Sequence, residues 1–271
     1  MKMIEVRNAN VNGTPTAYFE VGSGRPLLLL HGFGPGGSAS GNWSGIAAEL
    51  ASDHRVLAPD LLGFGQTIVK PGALGFSATV DHIRDFMEHF GIGQADIVGN
   101  NYGGALAIKL AVQSPALVRR LILLSPPALS FEVGEGLRKL WSYLPSEENM
   151  HALMTSFVHD PQLITRGAAR ARHYESVAPG ILDAFRTLFG EPHGARLEEL
   201  ASDEAVLSEL THPCMLLHGR EDAIVPVAVS LRLSRLLGNA DLHIFANCGN
   251  LIHVERRHDF LALVREFLSR A

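Results

Sequence analysis

The chain has 271 residues, 46 % of them hydrophobic, with 28 acidic and 23 basic side chains and a formal net charge of −5. That is enough for one large α/β domain or two small ones around a sizeable core, and the mild acidity without a dense Lys/Arg cluster argues against a nucleic-acid partner. Two cysteines, Cys214 and Cys248, are too few for a disulfide scaffold and lack metal-site spacing.

In chain order, β-rich runs fall at Ile4–Val6, Thr16–Phe19, Leu27–Leu30, Arg55–Ala58, Ala95–Val98, Leu121–Leu124, Cys214–Leu217 and Asp241–Phe245. Amphipathic helical runs separate them near 42–52, 78–90, 102–113 and 226–237, with a last one near 254–269. Alternation of this kind predicts a mostly parallel sheet flanked by helices. The rhythm breaks between about 130 and 208, where consecutive helical stretches follow one another without a strand. The expected organisation is therefore a core of residues 1–129 and 209–271 with a helical lid at 130–208. Its aromatics, Trp141, Tyr143, Phe157, Tyr174, Phe185 and Phe189, are expected to hold the lid together. The N-terminal "MKMIEVRNANVNG" lacks the apolar stretch of a signal peptide, and runs such as "LLLL" are too short to span a bilayer. The expectation is a cytoplasmic protein with no membrane partner; self-association is left open.

Chemistry concentrates at strand ends. "HGFGPGG", 31–37, follows the strand "LLLL", and its glycines allow backbone N–H groups to approach a developing negative charge. "VGNNYGG" places Gly99, Asn100, Asn101, Tyr102 and Gly103 in the five positions of G-x-S-x-G, the sharp strand-to-helix turn that presents a serine nucleophile. The glycines are present, and the nucleophile position holds Asn101. Asparagine tolerates left-handed backbone angles, which lets the turn persist without a serine. Asp222 follows the strand "MLLHG", where an acid orienting a histidine belongs, and "CGN" at 248–250 stands where "CGH" is expected. The order Ser…Asp…His becomes Asn101…Asp222…Asn250.

These motifs resemble the α/β-hydrolase fold and, within it, the meta-cleavage-product hydrolases, which cut a C–C bond in dienol ring-fission products. The resemblance runs through "HGFGPGGSASGNW", "APDLLGFGQT", "VGNNYGGALA", "ARHYESVAPG", "HGREDAIVP" and "CGNLIHVERRHDF". It implies an eight-stranded, mostly parallel sheet with a helical lid and no cofactor or metal. Arg172 falls on the lid arginine that binds the acidic end of the substrate, and Asn42 and Asn100 match polar pocket residues. The backbone from Gly34 through Pro35 to Gly36, with the N–H of Tyr102, matches the oxyanion hole. Leu251 replaces a tryptophan that usually follows the histidine. His31, His218 and His253 are the histidines near this edge that could replace the missing base, although hydrogen-bonded loop roles suit them better.

An amide is a poor nucleophile and does not titrate near neutral pH, so Asn101 cannot form an acyl-enzyme and Asn250 cannot shuttle a proton. Oxyanion stabilisation survives the loss of a triad member and retains roughly 10³–10⁴-fold catalysis over water. Asp222 could bond the Asn250 amide or act as a base. The leading expectation is non-hydrolytic catalysis, by proton transfer, C–C lyase or bond-forming chemistry or cyclisation, on a ketone- or enol-bearing small molecule. The alternatives are a C–C hydrolase of the 2-hydroxymuconic-semialdehyde type inactivated by substitution, and a non-catalytic binding protein.

Overall fold

Residues 4–270 are described by the structure, a computed structural model. Its strands and helices run β1 (Arg7–Val11), β2 (Thr14–Val21), β3 (Arg25–Leu30), α1 (Ala39–Trp43), α2 (Ala47–Leu50), β4 (His54–Pro59), α3 (Phe76–His89), β5 (Ala95–Asn100), α4 (Tyr102–Gln113) and β6 (Val118–Leu124). Six helices follow: α5 (Glu135–Trp141), α6 (Glu147–Thr155), α7 (Arg166–Ser176), α8 (Ile181–Phe189), α9 (His193–Leu200) and α10 (Glu204–Ser208). The chain closes with β7 (Cys214–Gly219), α11 (Val227–Leu236), β8 (Ala240–Phe245), α12 (Ile252–Glu255) and α13 (Arg257–Ser269). The eight strands form one sheet in the order β1-β2-β4-β3-β5-β6-β7-β8. Pairing is antiparallel for β1/β2 and β2/β4 and parallel from β4 onward. This is the α/β-hydrolase architecture that the sequence predicts.

The unbroken apolar run of β3 follows from burial on both sheet faces. Leu28 and Leu30 enter one hydrophobic cluster and Leu27 and Leu29 the other, and all four are fully buried. The first strand departs from expectation. Residues 4–6 lie outside it, and the strand starts at Arg7. It is an edge strand with a polar sequence, and its register is set by the Asn12-Gly13 turn, with φ of 48° and 86°, between Val11 and Thr14. Two positive φ values in a two-residue loop are the type I′ geometry that matches strand twist. The helix expected over 42–52 divides into α1 and α2, and the last one divides at Arg256 into α12 and α13.

No strand interrupts residues 125–213 among those described. Phe189 of α8 seats this helical segment on the core: its ring centre lies 5.5 Å from Trp141, 5.6 Å from Phe33 and 5.3 Å from Tyr102. Of the six aromatics singled out there, five are buried, while Tyr174 is 55 % exposed and contributes to no core.

Candidate functional site

The site forms where β3, β5, β7 and β8 deliver their C-terminal ends beneath α6 and α7. At the end of β5 the chain reverses into α4 through Asn101, whose φ of 52° and ψ of −110° lie outside the left-handed helical well. The tolerance of asparagine for that well therefore does not account for this turn. Hydrogen bonds over-determine it instead. The Asn101 N–H donates to Leu124 O at 2.7 Å, and its carbonyl accepts from Gly104 and Ala105. Backbone held this way stores about 1–3 kcal/mol of strain and persists where its surroundings leave no alternative. The flanking glycines are required by contact: a Cβ on Gly103 would lie 2.3 Å from Leu30 O, and one on Gly99 would lie 2.5 Å from Gly104 Cα.

With its backbone committed to the fold, the Asn101 side chain is left bare. Asn101 is 2 % exposed, and neither Oδ1 nor Nδ2 has a hydrogen-bond partner. Asn250 is different. Its Nδ2 donates to Asp222 Oδ2 at 2.8 Å, and its backbone N–H donates to Phe157 O. The other oxygen of Asp222 accepts the N–H groups of Ile224 and Val225 at 2.8 and 3.0 Å. The acid thus sits fully enclosed and directs the amide that follows β8.

Asn42, Asn100, Asn101, Arg172, Asn250 and Leu251 all line one cavity of about 250 Å³, somewhat smaller than most small-molecule sites. Arg172 enters from α7. Its Nε donates to Pro35 O at 3.1 Å, and its guanidinium lies over the Phe157 ring at 5.8 Å. Desolvation lowers its pKa, and no carboxylate forms an ion pair with it among the described residues. Glu175, one turn on along α7, shares the cavity, and burial raises its pKa against the opposing pull of Arg172. Sequence reasoning missed Glu175; its i+3 spacing from Arg172 on a helix was the available signal.

The glycine-rich loop differs in detail from the expectation. Gly34 and Pro35 do not line the cavity, whereas Gly32, Phe33, Gly36 and Gly37 do. Gly37 N–H donates to Gly34 O at 2.9 Å across a turn with Pro35 second and Gly36 third at φ 68°, the arrangement of a type II turn. Pro35 has no N–H; its contribution is the carbonyl that holds Arg172. Gly32 N–H is given to Asn42 Oδ1 at 3.1 Å. Among the described residues, Phe33, Gly36 and Ser38 are the positions of this loop on the wall whose N–H groups are not given to another protein atom. The Tyr102 N–H opens α4, where no carbonyl of the helix reaches it. The Tyr102 side chain points away into the core, its hydroxyl bonded to Thr79.

Each histidine is occupied elsewhere. Leu61 N–H donates to His31 Nε2 at 3.0 Å, so Nδ1 carries the proton given to Gly32 O, and burial lowers the pKa from 6.5 to about 4. His218 donates through Nε2 to Val225 O at 2.9 Å and accepts from Ser230 at 2.7 Å, with burial lowering its pKa. His253 lies against Trp43 with Nε2 at 3.0 Å from Asn42 Nδ2, and burial takes its pKa to about 4. None of the three lines the cavity. His253 instead orders the amides beside it. Asn42 Nδ2 faces the imidazole, Asn42 Oδ1 accepts from Asn100 Nδ2 at 3.1 Å, and Asn100 Oδ1 remains buried without a partner.

The model of the alpha/beta hydrolase fold family matches residues 25–257. A 2-hydroxy-6-oxo-2,4-heptadienoate hydrolase of Pseudomonas putida is 37 % identical over 95 % of this chain and 94 % of its own length. A 2-hydroxymuconate semialdehyde hydrolase of Pseudomonas sp. strain CF600 is 38 % identical over 96 % and 92 %. A solved meta-cleavage product hydrolase from Pseudomonas fluorescens IP01, a mutant complexed with acetates, superposes with a TM-score of 0.95 at 38 % identity, covering 98 % of each chain.

Proposed function

The chain belongs to the α/β-hydrolase family and, within it, to the meta-cleavage-product hydrolases, and on that premise we propose that its cavity binds a short unsaturated acid of the ring-fission class with the triad chemistry blocked. In this reading Arg172 anchors the acid end, Asn42 and Asn100 line the middle, and the Tyr102 N–H with the Phe33–Gly36 backbone faces the far carbonyl. Asn101 and Asn250 hold the positions of nucleophile and base. One observation carries the reading: the Asn250 amide bonds Asp222 at 2.8 Å, as an oriented histidine would, beside an elbow whose strained turn is intact. The frame of a Ser-His-Asp site is kept while the groups that move protons and electrons are not. The relatives are hydrolases by name, and non-hydrolytic chemistry draws no support from them.

The test is absorbance-followed turnover of a coloured 2-hydroxy-6-oxo-dienoate by the protein as it stands and by Asn101→Ser/Asn250→His. Only the double variant is expected to consume it, through an acyl burst. A double variant that binds nothing and cleaves nothing would refute the substrate class. Rapid turnover by the unaltered protein would refute the block and return the argument to chemistry carried by the amides themselves.

A further inference from the structure

Three buried amide atoms at the cavity floor lack a partner: Asn101 Nδ2, Asn101 Oδ1 and Asn100 Oδ1. Both residues are 2 % exposed, and both line the cavity. The identity of the Asn100 atom is fixed by its surroundings. Asn42 Oδ1 already accepts from Gly32 N–H, so the end of Asn100 that meets it must be the donor, and the free end is an acceptor. At Asn101 the free side chain supplies one donor end and one acceptor end whichever way it is turned. The floor therefore offers two acceptors and one donor.

A ketone or aldehyde oxygen would satisfy the donor alone and leave two acceptors dry. Each buried polar group without a partner costs about 1–3 kcal/mol. A primary carboxamide carries two N–H hydrogens and one carbonyl oxygen in a single plane, one N–H beside the oxygen and the other turned away from it, so its donors and acceptor match this set in number and kind. Its carbonyl is also among the least electrophilic, which suits a site without a nucleophile or a base. We infer that the ligand of this cavity is an acid whose far end is a primary carboxamide, read by Asn101 with Asn100.

This rests on the reading of Arg172 as the anchor for the acid, and the experiment separates the two. Dissociation constants are measured by calorimetry for adipamate and for 6-oxoheptanoate, which share a carboxylate and differ in carboxamide against methyl ketone. The unaltered protein is expected to bind adipamate about tenfold tighter or more, the effect of pairing otherwise dry amide atoms. Asn101→Leu, and Asn101→Ser as the variant that the elbow accommodates most readily, should bring the ratio close to one. Arg172→Leu should weaken both probes and leave the ratio in place. Equal binding of the two probes, no binding of either, or a preference that survives at Asn101→Leu and Asn101→Ser would overturn the carboxamide assignment. A preference that stands while Arg172→Leu changes neither constant would overturn the anchor instead.

Discussion

Truncating Asn250 is the most direct test of the retained acid–amide pair. Asp222 has no exposed side-chain surface, and its Oδ2 accepts from the Asn250 amide at 2.8 Å, with His218 Nε2 at 3.5 Å. A hydrogen bond to a charged group contributes about 1.5–3 kcal/mol, and a buried carboxylate oxygen left without its donor incurs the full desolvation cost. Asn250→Ala should therefore destabilise the fold by about 2–3 kcal/mol, roughly 4–6 °C in Tm for a chain of this size. In an Asp222→Ala background the same truncation should cost under about 1 kcal/mol, giving a coupling energy near 2 kcal/mol. Asn250→His keeps a donor and should retain most of the stability. Urea unfolding of the four corners of the cycle measures this. Additive single variants, or an Asn250→Ala that costs nothing, would mean that the pair does not hold the acid.

Two further outcomes follow from contacts around the site. A Cβ on Gly36 would lie 2.4 Å from Arg172 O and 2.9 Å from Ser176 N at a φ of 68°, so Gly36→Ala must push α7 away from the loop. Calorimetry should then show carboxylate ligands binding at least about tenfold more weakly, as loss of a charge-assisted contact implies; unchanged binding would refute the docking of Arg172 through this loop. His253, held neutral with a pKa near 4 against an ordinary 6.5, binds its proton more readily when unfolded. Its contribution is complete above pH 6.5 and is lost as pH falls toward 4, about 2 kcal/mol by pH 5. Replacing it by Gln should shrink the drop in stability between pH 8 and pH 5 by that amount in urea titrations; an unchanged drop would mean that the imidazole is protonated in place.

Legibility in the sequence tracked how local the physics was. "LLLL" was readable as a strand buried on both faces because every position is apolar, and the elbow because backbone atoms crowd both of its glycines. The first strand was not, since in the edge strand "RNANV" the alternation amounts only to Ala9 and Val11 between asparagines. The glycine-rich loop was legible as a loop, but which N–H groups stay free depends on Asn42 and on a turn closed by Gly37. The fate of the three histidines could not be read at all. Each is decided by a partner distant in sequence or around a loop: Leu61 for His31, Ser230 and Val225 for His218, and Asn42, 211 residues away, for His253.

The elbow also bears on why reversion is a meaningful experiment. Were its strained turn maintained by catalysis, an asparagine there would be expected to relax toward an ordinary conformation. It does not, because the bonds that hold it belong to the fold: Leu124 of the neighbouring strand on one side and the first turn of α4 on the other. The geometry that aims the side chain of position 101 into the cavity is therefore set by backbone hydrogen bonds. The same holds at position 250, whose backbone is tied to Phe157 and whose side chain is directed by an acid fixed through Ile224 and Val225. A serine and a histidine introduced together would enter a site already shaped to orient them. In the proposed reading, the two asparagines change the chemistry of the site while leaving its architecture in place.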